Sequence, residues 1–188
     1  MKTETRHLEA AELRVVREDD KPPRIVGHAA VFGKLSEDLM GFREQIKKGA
    51  FKRSLKEGAD VRALINHDPS KVLGRTSAGT LTLKEDKEGL LMDVTPPDTQ
   101  AARDLLTSIE RGDITGQSFQ FRTIEDQWKT VDGEEIRTLV DVDLIDVGPV
   151  TFPAYPDTTV AVRSLDAWHE EQKPKKREAA ARRLRLSQ

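Results

Sequence analysis

The sequence contains no cysteine, one tyrosine, two tryptophans and four histidines. Without cysteine there are no disulfides and no thiolate metal ligands, which fits a reducing compartment. Four scattered histidines make a zinc site improbable, and no cofactor is expected. No apolar run approaches the roughly 18 residues of a membrane span, and Met1-Lys2-Thr3-Glu4-Thr5-Arg6 lacks the apolar stretch of a signal peptide. The expectation is a soluble intracellular chain with no membrane partner. A net charge of -2 gives no overall bias toward nucleic acid. Also missing is a glycine two residues after Ser118, where Gln120 stands, so the nucleophile elbow of the α/β-hydrolases is excluded.

What remains is a chain of 188 residues, 36% hydrophobic and 34% charged, enough for one domain with uncored ends. Leu13–Val16 and Arg24–Phe32 flank the turn Asp19-Asp20-Lys21-Pro22-Pro23 and predict an opening hairpin. A short helix is expected over Ala50–Glu57, stopped by Gly58. Val61–Asn66 predicts a strand ending at His67. Gly79–Glu85 and Gly89–Val94 bracket a turn and predict the clearest hairpin. Asp98 is read as the N-cap of a helix over Thr99–Arg111, with Ala102, Leu105, Leu106 and Ile109 on one stripe and Gly112 as its stop. The strand carrying Ser118 is expected to turn through Val131-Asp132-Gly133-Glu134 into Ile136–Val147, with a last strand over Thr158–Val162. Many short strands with two helices give a mainly β, α+β fold, a barrel or sandwich. The expected divisions are a flexible leader at 1–10, a core domain at 11–164 and a charged helical or disordered tail at 165–188, basic from His169 onward.

Chemistry concentrates on a serine. If Phe119 and Phe121 face a core, alternation puts Ser118 and Gln120 on the opposite face, where Ser118 can line a cleft as a nucleophile. An ordinary strand serine fits the same segment. A serine nucleophile needs a histidine base and a group to orient it. His67 follows a strand and opens a loop, where scaffolds carry reactive groups. His7 falls in the charged leader and His169 in the tail, while His28, mid-strand beside Gly27, reads as structural. Of three acids in Val140–Val147, alternation places Asp146 with Val140, Val142 and Leu144, and Asp141 and Asp143 on the other face. A carboxylate in an apolar row needs a partner such as a histidine N–H, so Asp146 is the third candidate; a solvent-exposed strand-end acid is the other reading.

Five motifs occur in one order: Gly27–Gly33, Gly49–Leu55, Asn66-His67-Asp68 with Leu73–Thr76, Gly116–Phe119, and Val150–Ala154. Together they resemble the prohead serine proteases of tailed bacteriophages over roughly Gly27–Val162. That family is similar in fold to the herpesvirus assemblins, a β-barrel surrounded by helices, which use serine with two histidines. Here no histidine lies between Ser118 and Tyr155, so a carboxylate would take the third place. The resemblance implies a serine endopeptidase with His67, Ser118 and Asp146. Its implied substrates and partners are capsid and scaffold proteins, itself and other copies in a homo-oligomer, inside the assembling prohead in the host cytoplasm. Oxyanion donors are expected among the backbone N–H groups near Gly74, Arg75 and Thr76, with an ion pair to an acid as Arg75's other reading. The rival class is a non-catalytic scaffold or assembly module on the same barrel; a small esterase is disfavoured by the missing elbow.

Overall fold

Asp132 and Gly133 both take positive φ (53° and 87°), the conformation of a two-residue hairpin loop whose twist matches the strands it joins. In the computed structural model, which describes residues 3–8, 12–152 and 165–171, this loop connects the two longest strands, β9 (Gly116–Val131) and β10 (Glu134–Val150). The free edge of β9 is taken by β1 (Glu4–Leu8), antiparallel. The other edge of β10 is divided. β4 (Arg43–Ile46) runs parallel to Ile136–Leu139, and β5 (Arg62–Leu64) runs parallel to Asp146–Val147 with β6 (Val72–Arg75) beyond it. In the gap, Val142 N donates to Ala50 O at 3.0 Å and Leu144 N to Ser54 Oγ at 3.1 Å. The helix α1 (Lys52–Lys56) and its lead-in thus satisfy backbone groups that no strand reaches.

A second sheet orders β2 (Arg14–Val16), β3 (Arg24–Val31), β8 (Gly89–Val94) and β7 (Leu81–Glu85). The sheets share a core in which Phe119 meets Phe51 edge-on at 5.6 Å and stacks on Phe121 at 5.1 Å. Ile25, Leu90, Met92, Leu139 and Val142 surround them, essentially inaccessible. Gly74 makes one close approach possible, since a Cβ there would sit 2.5 Å from Val94 Cγ2. The helix α2 (Gln100–Arg111) buries Ala102, Leu105, Leu106 and Ile109 and ends on left-handed Gly112.

The mainly β, α+β expectation holds, but the barrel does not close. The two sheets share no ladder among the described residues, and on one side a cleft of about 290 Å³ is lined by Thr5–Leu8 of β1 and by Ala30 and Val31 of β3. Among the described residues up to 152, two helices flank the sheets. The N-cap of α2 is Thr99, which accepts from Ala102 N, rather than Asp98, which pairs with Arg103. Residues read as a leader include β1. Residues 165–171 are helical, and Leu165 and Trp168 join Leu39, Phe42 and Trp128 in a small second cluster. The strand expected over 158–162 and the segment 172–188 lie outside the described residues.

β1 is fastened by charge. Arg137, 3% exposed, donates to Glu4 at 2.7 Å, to Glu44 at 3.0 Å and to Asp126 at 2.6 Å; Arg6 donates to Glu44 at 2.7 Å and to Glu4 at 2.8 Å. Burial alone would raise the Glu4 pKa, but the hydrogen bond and charge of Arg137, with Arg6 and Thr123, hold it down at about 2. Because its folded value lies below the ordinary value of 4.5, its contribution to stability is present above about pH 4.5 and is lost as pH falls through about 2. Arg137→Met, which leaves the buried Glu4 and Glu44 carboxylates sharing the one charge of Arg6, should cost about 3–5 kcal/mol in urea unfolding at neutral pH. The same experiment repeated down to low pH should show the acid-side loss shrink in this variant.

Candidate active site

Alternation along β9 sends Phe119 and Phe121 into the core and Ser118 to the opposite face, as their pairing with Val147 and Leu144 on β10 requires. Asp146 reaches that face by a different route from the one expected. The β9–β10 register shifts between Leu144 and Asp146, so that Leu144 opposes Phe121, Asp146 opposes Gln120 and Val147 opposes Phe119. Ile145 is the extra residue of a β-bulge, and a bulge turns over every side chain beyond it. Asp146 therefore does not share a face with Val142 and Leu144, as plain alternation had it. It lies with Gln120 and Ser118.

His67 comes from the turn after β5. Both Asn66 and His67 are left-handed, with φ of 54° and 56°, a conformation that asparagine and histidine tolerate better than most residues but that still needs support. Asn66 supplies that support. Its N–H donates to Pro149 O at 3.0 Å, its Oδ1 accepts from Thr151 N at 2.8 Å and its Nδ2 donates to Thr151 Oγ1 at 3.1 Å, pinning the turn to the end of β10. The chain at Gly148 helps, because a Cβ there would lie 2.0 Å from Leu64 O. The result is a continuous path: Asp146 Oδ1 is 2.5 Å from His67 Nδ1, and His67 Nε2 is 2.5 Å from Ser118 Oγ. Asp146 and Ser118 are buried, and the His67 side chain is 14% exposed.

The remaining candidates separate clearly. Asp141 and Asp143 clamp Arg53 at 2.7 and 2.5 Å, away from His67. His28 bonds Asp86 at 2.9 Å, the structural role read for it. Its neighbours Glu12 and Glu88 bring three ligand-type atoms within 4.8 Å of one another, but His28 Nε2 is already engaged by Asp86. Two of the N–H groups sought as oxyanion donors are committed elsewhere: Arg75 N donates to Thr80 Oγ1 at 2.9 Å and Thr76 N to Val61 O at 3.0 Å. The Arg75 side chain takes its other reading, an ion pair with Asp60. The cleft beside β1 is not lined by Ser118, His67 or Asp146.

Sequence reasoning missed His7. It lies directly opposite Ser118 in the β1–β9 ladder, its ring 6.3 Å from that of His67. Burial, then the neighbouring His67 and Arg6, lower its pKa to about 4, so it is neutral at physiological pH. Its ring nitrogens are buried without a hydrogen-bond partner among the described residues. The signal for it was the alternation of Glu4, Arg6 and Leu8 against Thr5 and His7, masked by the charges.

The model of the family described as caudovirus prohead serine protease matches residues 9–173. The chain belongs to this family. The family is one of prohead proteases, so a protease is the activity that membership supports. No curated protein sequence matches. Among solved structures it is similar to the bacteriophage T4 capsid assembly protease, gp21, at 12% identity and a TM-score of 0.48, over 78% of this chain and 98% of that one.

If Asn66 sets the His67 position in the prohead protease, Asn66→Ala should lower peptide turnover on the order of 10²-fold, the cost of misplacing a reacting group by about 1 Å. The thermal midpoint should change far less than in a core truncation. Turnover equal to that of the parent chain would show that the backbone alone positions His67.

Proposed function

We propose that this prohead protease is a serine endopeptidase in which Ser118 is the nucleophile, His67 the general base and Asp146 the group that orients His67. The observation that carries the reading is the continuous path from Asp146 through both nitrogens of His67 to Ser118 Oγ. With Nδ1–H directed at the Asp146 carboxylate, the Nε2 lone pair faces the serine hydroxyl, the tautomer that a base requires. Ser118 Oγ then bonds to the peptide carbonyl carbon while its proton passes to His67 Nε2. Collapse of the tetrahedral intermediate breaks the C–N bond, and His67 returns that proton to the leaving amine. Water repeats the sequence on the acyl-enzyme, releasing the acid and restoring Ser118.

The substrates are capsid and scaffold proteins and the protease itself, cut inside the assembling prohead, where copies of the chain associate. Family membership supports this choice. A non-catalytic assembly module would have no use for the left-handed turn that aims His67 at Ser118.

Ser118→Ala should remain folded by circular dichroism and lose cleavage of a capsid-protein substrate. His67→Ala should be about as severe, and the double variant no worse than either, because members of such a unit are grossly non-additive. Asp146→Asn should lower the rate by about 10⁴-fold, whereas Asp141→Asn should have little effect. Mass spectrometry should show shortened chains in the active protein and none in Ser118→Ala. Proteolysis retained by Ser118→Ala would refute the assignment.

A further inference from the structure

Ser118 is fully buried, although a nucleophile has to meet a peptide carbonyl. Its neighbour on the open side of β9 is β1, paired antiparallel from Glu4 opposite Phe121 to Leu8 opposite Gln117. The Ser118 hydroxyl lies 2.9 Å from the Arg6 carbonyl oxygen, to which it donates, and 2.5 Å from His67 Nε2. A hydroxyl has one proton, so these two acceptors compete for it. Attack requires that it go to His67; the Arg6 carbonyl holds the serine in an unreactive arrangement.

The attachment of β1 is of a kind that can be exchanged. Neither hydrophobic cluster contains a β1 residue, so the strand can leave without taking an apolar side chain from the core, although it uncovers the Phe121 ring, over which the Arg6 guanidinium lies at 5.5 Å. Its far edge faces the cleft rather than another strand. What holds it is the ladder to β9 and the ion pairs of Glu4 and Arg6, and buried ion pairs add little net stability because each ion gives up its hydration. A second extended peptide can supply the same ladder and the same charges.

We propose that the β9 edge at Gln117–Phe121 is the docking edge for substrate, occupied in this state by the chain's own β1. The peptide that replaces β1 is an extended segment with an acidic residue two positions before a basic one, cut after the basic residue. This rests on the assignment of Ser118 as nucleophile. Glu4 and Arg6 fall on one face of β1 by alternation. They meet Arg137 and Glu44, each only 3% exposed on its side chain. Loss of β1 leaves Arg137 and Glu44 paired with each other at 3.0 Å but each short of one partner. A peptide with an acid and a base in these two places restores both partners, and the carbonyl of its basic residue then takes the place of Arg6's beside Ser118.

The test measures labelling of Ser118 by a fluorophosphonate in three forms of the full chain. These are the parent, Glu4→Lys, which sets like charge against Arg137, and the double variant Thr5→Cys with Gln120→Cys. Thr5 and Gln120 are direct partners in the ladder, and the parent has no cysteine, so oxidation ties β1 to β9. Glu4→Lys should label about ten-fold faster than the parent, and the oxidised double variant about ten-fold slower than its reduced form, each the effect of roughly 1.4 kcal/mol in strand docking. With the loosened enzyme, the peptide Glu-Thr-Arg-His-Leu should be cut after arginine, and the charge-swapped Arg-Thr-Glu-His-Leu about ten-fold more slowly. Should Glu4→Lys fail to fold, the oxidised and reduced lock decides alone. Equal labelling of Ser118 in all folded forms overturns the docking proposal and leaves the nucleophile assignment standing. Equal turnover of the two peptides overturns the charge preference. Absence of Ser118 labelling in every form, the loosened and reduced ones included, removes the nucleophile and the docking proposal with it.

Discussion

The ladder between β9 and β10 is the constraint on which the rest of the molecule depends. It supplies the inner faces of Phe119, Phe121, Val142, Leu144 and Val147 to the core, and its outer edges give β1, β4, α1 and β5 their places. Ser118 and Asp146 sit on its two strands, so their separation is fixed by backbone hydrogen bonds rather than by side-chain packing. Only His67 is brought from outside, and β5 carries it by pairing with β10 at Asp146 itself. The three groups therefore share one rigid reference, which suits chemistry that is sensitive to displacements of about 1 Å.

The irregularity at Ile145 is as necessary as the regular ladder. Without the extra residue, Asp146 would follow Leu144 into the apolar face, where an ionised carboxylate is costly. The bulge lets Val147 fill the core position opposite Phe119 and turns the carboxylate toward His67. Bulges recur beside functional sites for this reason: they re-aim one side chain while the strand on either side keeps its pairing.

Much of this was legible in the sequence, because it follows from local periodicity. Phe119 and Phe121 announced the face of Ser118, Asp132-Gly133 announced the hairpin loop, and the apolar run Val61–Asn66 announced a strand with His67 at its end. The route to Asp146 was not legible, since nothing in Val142-Asp143-Leu144-Ile145-Asp146 marks where the extra residue falls; Asp146 was chosen as a candidate on a face that the bulge turns over. His7 was hidden for a different reason. Glu4 and Arg6 look like solvated leader charges until their partners Glu44 and Arg137 are brought in from far along the chain. Barrel closure is equally non-local, because it depends on ladders between the two sheets, whose edge strands lie far apart in the chain.

The two histidines near Ser118 divide their roles by the charges around them. Two rings 6.3 Å apart in a buried site repel if both are protonated, so the proton released by Ser118 must have one preferred home. Asp146 lies against His67, whereas the charged neighbours acting on His7 are His67 and the Arg6 guanidinium, both of which disfavour its protonation. In the proposed mechanism the proton goes to His67, the ring that Asp146 contacts, within reach of the leaving amine. A neutral His7 offers one donor and one acceptor at its two buried nitrogens. Proximity to a serine is thus not enough to make a histidine its base; the carboxylate behind the ring decides which of the two it is.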